Sequence, residues 1–412
     1  MIEIRPFKGL RPAKGLEAKI ASKPYDVMDY DEALERGKDN PFSFIHIIRP
    51  EIDMPLDTNP YAQEVYSKAK DTLDDFIEKG YLVEEGKNVF YIYRQIMNGR
   101  IQNGIVGCTS IDDYGDGKIK RHEFTRVDKE QDRIDHFYAA DANTEPVFLF
   151  YKRNENIKKF IKNWTSDHKC IVDFVSDDGV RQMLWIVDEK ESIEEIQSSF
   201  NSLENLYIAD GHHRTASSYK VGLKKRKENP GYTGNEEFNY FMSVIFPEDE
   251  LYIMPYNRMV KDLNGYSEEE FLEKVGKKFY IKSCTSLEHP MNEHEFTMAL
   301  KEKYYKLTAK EGIFDENNKI ASLGASILQD NILAPILGIE DPRTDSRIKF
   351  VGGADMMDRI RDKLNTDMKV AFLLYPTQTK DITAVSDIEK VMPPKSTWFE
   401  PKLMSGLFVH RF

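Results

Sequence analysis

The chain predicts an α+β protein built on a mixed sheet. Short apolar or alternating runs outnumber helical stretches and do not alternate cleanly with them. Asn98-Gly99 sits between two such runs, the pattern of a two-residue hairpin. No internal repeat, low-complexity tract or flexible linker separates the segments. The N- and C-terminal α/β elaborations are therefore expected to interlock with a central core. The expected division is an N-terminal α/β segment at 1–85, a core at 86–255 and a C-terminal α+β segment at 256–412 that contributes loops to the site.

The elements follow in order. Pro24-Tyr25-Asp26-Val27 reads as a strand exit or ordered loop, and Asn40 to Pro50 as a loop entering an apolar strand. From Ala62 to Lys79 the spacing of Val65, Ala69, Leu73, Phe76 and Ile77 predicts a helix that stops at Gly80. Val89 to Gln95 and Ile101 to Ile111 form the hairpin strands. A turn at Tyr114 to Gly117 leads into a strand at Lys118 to Arg126. Strands are expected at Val147 to Tyr151, Cys170 to Val175, Gln182 to Val187 and Leu206 to Ala209. A sharp turn at Asp210-Gly211 then opens a helix running through Ala216 and Tyr219 to Lys224-Lys225-Arg226-Lys227. Phe241 to Phe246 and Tyr252 to Pro255 read as strands. Ser267 to Lys278, Asn292 to Leu300 and Asp355 to Leu364 read as helices, and Val370 to Tyr375 as a buried strand.

Composition narrows the classes of function. With 412 residues, 40% hydrophobic and 31% charged, the chain can bury a substantial core as a soluble globular protein. A net charge of -12, from 58 basic and 70 acidic residues, opposes a dedicated nucleic-acid binder. Cys108, Cys170 and Cys284 are scattered and form no CxxC pair, so a reducing cytoplasmic setting is expected. No apolar run approaches the roughly 18 residues of a membrane span, so no membrane partner is expected. Neither a GxSxG elbow nor a GxGxxG fingerprint after a strand is present.

The chemistry concentrates at Asp210-Gly211-His212-His213-Arg214. Asp210 is a good N-cap by type, since its carboxylate can accept the free N–H groups of a first turn. A helix N-terminus favours acidic neighbours, yet two imidazoles and a guanidinium crowd this one. A polyanion would complete such a cluster. The competing reading is a capped surface helix with solvated His and Arg. His212 and His213 diverge from a helix start, so they are not expected to chelate one zinc ion.

Arg121-His122-Glu123-Phe124-Thr125 is the second constellation. A carboxylate at a strand rim, backed by His122 and Arg121, suits a general base, and the alternative is a charged edge strand. Asp112, Asp116, Gly117, Ile119 and Glu123 imitate a calcium-loop spacing, but Tyr114 stands where an oxygen ligand belongs, so a hairpin turn is preferred. The third is Pro393-Pro394-Lys395-Ser396-Thr397-Trp398-Phe399-Glu400-Pro401-Lys402, an extended, proline-bracketed loop whose Lys395, Ser396 and Thr397 could hold phosphate oxygens, or which could be purely structural. In Phe350-Val351-Gly352-Gly353-Ala354 the glycines either admit a ligand or make a turn.

Four boxes, Pro24-Tyr25-Asp26-Val27, Arg121-His122-Glu123, Ala209-Asp210-Gly211-His212-His213-Arg214 and Pro393-Pro394-Lys395-Ser396-Thr397, together resemble the domain-of-unknown-function 1015 family along essentially the whole chain. The middle region also resembles the ParB/sulfiredoxin-like nucleotide-binding fold, shared by free serine kinases with an early His-Glu pair and a later Asp-Gly-His-His-Arg box. The resemblance implies ATP-dependent, Mg²⁺-assisted phosphorylation of free L-serine. Glu123 would be the base, supported by His122 and Asp210. Gly211, His212, His213 and Arg214, with Lys395, Ser396 and Thr397, would hold phosphates, and Asp26 and Arg121 the acceptor. The box offers no cysteine, which sulfiredoxin-type repair needs. The partners implied are a nucleotide and an amino acid. A non-catalytic nucleotide sensor or adaptor, and a phosphatase or nucleotide hydrolase, are the rival expectations.

Overall fold

Nine strands form the largest sheet of the computed structural model, which describes residues Met1–Phe412. The chain divides into two compact units. One comprises Met1–Leu251 with Pro401–Phe412, and the other Tyr252–Glu400. Residues 1–85 and 86–251, given separate segments on sequence grounds, thus lie in one unit.

In the first unit the strand order is Ile119–Lys120, Leu206–Asp210, Val147–Tyr151, Tyr240–Pro247, Arg100–Ser110, Phe90–Met97, Arg181–Val187 and Val172–Val175. Ile4–Arg5 also pairs with Arg100–Ser110, through Thr109 and Cys108. The sheet is mixed. Leu206–Asp210 runs parallel to Ile119–Lys120 and antiparallel to Val147–Tyr151, which is parallel to Tyr240–Pro247. The expected hairpin forms, with Tyr91 opposite Val106 through to Met97 opposite Arg100. Asn98 and Gly99 both take positive φ (51° and 80°), as a hairpin turn that matches strand twist requires. A core of Phe90, Ile92, Ile105, Leu149, Trp185, Ile208, Phe241 and Ile245 holds this sheet. The second unit has an antiparallel six-stranded sheet in the order Phe279–Cys284, Lys303–Ala309, Glu295–Leu300, Val370–Leu374, Asn257–Val260, Ile348–Val351. No helix is long and apolar enough to cross a membrane.

Four local expectations fail, each for a physical reason. Glu295–Leu300 is a strand, not a helix, because it is laddered on both sides, and tertiary pairing overrides its helical spacing. Ile45–Ile48 is a helical turn, with its isoleucines buried in two separate clusters. The calcium-loop look-alike begins with a helix at Ile111–Gly115 rather than a hairpin turn, because Ser110 caps it by accepting the Asp112 N–H at 3.2 Å. The strand at Lys118 to Arg126 stops after Lys120, and the chain leaves the sheet as a loop before helix Val127–Ala140. That helix has no counterpart in the sequence reading.

Candidate functional site

The strand Leu206–Asp210 ends on an irregularity. Its register against Val147–Tyr151 shifts between Ile208, opposite Leu149, and Asp210, opposite Phe148. A bulge of this kind re-aims the side chain that follows it. Gly211 then takes φ 91° and ψ 33°, a left-handed conformation that suits glycine, and helix His212–Glu228 begins.

Asp210 does not cap that helix. The cap position is Gly211, no side chain bonds to the first turn, and no acidic residue lies in it. The Asp210 carboxylate is drawn elsewhere. Oδ1 accepts the Gly211 N–H at 2.8 Å and Oδ2 accepts from Lys402 Nζ at 2.9 Å. Burial alone would raise its pKa, but Lys402 and then Arg214 hold it well below the usual carboxylate range.

Arg214 is buried, not solvated. Its Nη1 donates to the Pro146 carbonyl at 2.7 Å, and its Nη2 lies 3.8 Å from Asp26 and 4.0 Å from Asp210. Burial opposes its charge, yet Asp26, Glu145 and Asp210 keep it more firmly protonated than usual. The Pro24-Tyr25-Asp26-Val27 box is thus brought to the helix start. It is underpinned by charges that sequence reading missed. Glu145 Oε1 accepts from Tyr25 N–H at 3.1 Å and from Ser405 Oγ at 3.0 Å, and Arg133 lies 4.0 Å over the Tyr25 ring.

The two imidazoles are not the cations that the sequence suggests. His212 is buried, and desolvation first, then neighbouring His122, pushes its pKa well below the ordinary value. Desolvation also lowers His213. His212 Nε2 accepts the His122 backbone N–H at 3.4 Å, and His213 Nε2 accepts the Arg126 N–H at 2.9 Å. The His122 and His212 rings meet edge-to-face with centroids 4.5 Å apart. The crowding at the helix start is therefore relieved by neutralising both rings, while Arg214 stays charged, faced by Asp26, Glu145 and Asp210. His122 is itself buried, and desolvation holds its pKa near 4.

Glu123 is half-buried on the loop between Ile119–Lys120 and Val127–Ala140. Arg121 is exposed, and its charge partly offsets the upward shift that burial imposes on the Tyr114 hydroxyl. Lys395, Ser396 and Thr397 belong to the second unit. Ser396 is buried and donates its hydroxyl to Pro393 O at 2.7 Å, and Thr377 donates to Ser396 O at 2.7 Å. Lys395 takes φ 56°. Buried Arg258 fixes this loop by donating to the carbonyls of Lys395 (3.0 Å), Pro394 (3.4 Å) and Tyr256. Lys402 closes the proline-bracketed loop and carries no role on sequence grounds, yet it is the lysine that faces Asp210. The sequence carries no local signal for that pairing, because the two residues are 192 positions apart.

No group of three or more His, Cys, Asp or Glu side chains could hold a metal ion on its own. A Mg²⁺ ion that arrives with a nucleotide needs no such cage, because phosphates and water supply most of its ligands. A helix start with uncapped amides, a left-handed glycine and adjacent cationic side chains can receive an anion.

The chain belongs to the family described as "Protein of unknown function (DUF1015)", whose sequence profile matches residues 4–328. Curated proteins yield no sequence match. Among solved structures it is similar to a free serine kinase mutant in complex with AMP, at 13% identity and a TM-score of 0.37, over 78% of this chain and 94% of that one. It is also similar to a conserved hypothetical protein from Pyrococcus furiosus, at 12% identity and a TM-score of 0.35, over 74% of this chain and 95% of that one. A third likeness is to SbnI with C-terminal truncation from Staphylococcus aureus, at 11% identity and a TM-score of 0.36, over 73% of this chain and 85% of that one.

Proposed function

We propose that the protein is a small-molecule kinase that transfers the γ-phosphate of ATP to the hydroxyl of free L-serine, with a ParB/sulfiredoxin-like core carrying the site. The observation that supports this reading best is the uncapped start of helix His212–Glu228, beside Arg214 and Lys402 and next to the loop that carries Glu123. The first-turn amides would receive phosphate oxygens. Glu123 would take the proton from the attacking hydroxyl, and Asp26 and Arg121 would address the acceptor. Mg²⁺ would neutralise charge on the nucleotide. The serine acceptor rests on the resemblance of the boxes to those of free serine kinases.

Phosphoryl transfer depends mainly on positioning and charge neutralisation, which such a set can supply. Incubation with ATP, Mg²⁺ and an amino-acid panel, followed by ³¹P NMR, is expected to yield phosphoserine. Glu123→Gln is expected to lower turnover by about 10²–10⁴-fold while leaving nucleotide affinity intact. Nucleotide binding without transfer to any acceptor would favour a sensor instead. Release of inorganic phosphate alone would favour a hydrolase.

A further inference from the structure

The segment from Arg121 to Arg126 has no strand or helix of its own, yet its two ends are tied to consecutive elements, the strand Leu206–Asp210 and the helix His212–Glu228. Its entry strand, Ile119–Lys120, pairs in parallel with Leu206–Asp210 through Leu206 and Tyr207. Its exit helix, Val127–Ala140, packs on helix His212–Glu228. There the Ser217 hydroxyl donates to the Glu130 carbonyl at 2.9 Å and Lys220 bonds the Glu130 carboxylate. Thr125 adds a 2.6 Å bond to the same Glu130. Between these anchors the two imidazoles accept from residues four apart in the loop, His122 and Arg126, on either side of Glu123.

Helical side chains lean toward the N-terminus of their helix. The first two positions of a helix can therefore reach past its end to a passing strand or loop. A ring nitrogen that accepts a backbone N–H carries no proton, so it cannot donate to a phosphate oxygen through that same nitrogen. Each ring then carries its single proton on Nδ1.

We propose that His212 and His213 are positioning residues, clamping the 122–126 loop through Nε2 so that Glu123 and the start of helix His212–Glu228 move as one body. This goes beyond the kinase reading in assigning the two rings to the loop rather than to phosphate. It rests on that reading only where it speaks of turnover.

The decisive measurements need no nucleotide. In the wild-type protein, ¹⁵N NMR of the imidazoles at pH 7.5, ~1 unit above the ordinary histidine pKa, is expected to show both rings as the Nδ1–H tautomer. An Nε2–H form at either ring overturns the clamp. Amide hydrogen exchange at Arg126 is expected to quicken about fivefold in His213→Leu and to return toward wild type in His213→Gln, whose amide oxygen can accept. Unchanged exchange in His213→Leu also overturns it. If phosphoryl transfer is observed, His213→Leu is expected to lower kcat with nucleotide Kd unchanged. Weakened nucleotide binding with an undisturbed loop would mark a phosphate ligand instead and overturn the proposal. If no transfer occurs, the tautomer and exchange results still decide the clamp by themselves.

Discussion

Replacing Lys402 with methionine tests how the site's charge balance is kept. Lys402 Nζ and Asp210 Oδ2 are 2.9 Å apart, and their side chains are 16% and 28% exposed. Two unit charges at that distance attract by about 6 kcal/mol at an effective dielectric of ~20. Desolvation of both groups offsets more than half of this, leaving about 2 kcal/mol for the pair. The Gly211 N–H and Arg214 stay near Asp210 in the variant, so the loss should not exceed this range. Urea unfolding followed by tryptophan fluorescence, in a Trp398→Phe background, reports only Trp164 and Trp185 of the first unit. Lys402→Met is expected to lower its stability by about 2 kcal/mol at pH 7, and a cycle with Asp210→Asn should return a similar coupling. Because the folded carboxylate titrates below its unfolded value, its contribution is present above pH ~4 and fades as pH falls further. The Lys402→Met deficit should fade with it. A coupling below about 0.5 kcal/mol, the size of an exposed surface pair, would refute the argument.

Other outcomes follow from the same geometry. Buried His122, His136 and His212 all have pKa values depressed first by desolvation, the first two to about 4 and about 3. The unfolded chain therefore takes up protons that the folded chain refuses, and the first unit should lose stability as pH falls below ~6.5. His136→Gln should flatten that slope by about 1.2 kcal/mol per pH unit on average, measured from urea unfolding curves between pH 6.5 and 4.5. A Cβ at Gly222 would stand 2.5 Å from Ile111 Cδ1 and 2.6 Å from the Phe238 carbonyl oxygen. Gly222→Ala should therefore cost about 1–3 kcal/mol despite alanine's better helix propensity, as a lower thermal midpoint. Arg258→Met strips donors from the carbonyls of Tyr256, Pro394 and Lys395, so amide exchange across 395–397 should rise several-fold.

The strands were legible because their periodicity is local. The Asn98-Gly99 hairpin, the buried runs at 147–151 and 240–247 and the strand leading to Asp210 follow from alternation and turn chemistry alone. Helix Val127–Ala140 was not legible, because it buries Glu130, Asp132, Arg133 and His136, and a polar buried face defeats a hydrophobic period. The site divides in the same way. Asp210 to Arg214 are contiguous and announce themselves, whereas Lys402, Glu145 and Arg133 join them only through long-range folding. The sequence also suggests charged imidazoles at the helix start. Burial, which no local pattern reports, removes those charges.

The first unit is encoded in two stretches, with Tyr252–Glu400 between them. Its later stretch supplies more than Lys402. His410 and Arg411 pair with Asn143 and Ala142, Val409 bridges Leu10, and Ser405 bridges Ser22 and bonds Glu145. On the ribosome, Asp210 and Glu145 emerge long before these partners. At roughly 5–20 residues per second, the 192 residues from Asp210 to Lys402 take on the order of 10–40 seconds to make. Throughout that interval the nascent site holds its carboxylates without their final companions. The order of synthesis thus makes the site's assembly a late event in the life of each molecule, and a chain interrupted within the second unit would carry every motif of the box without the contacts that complete it.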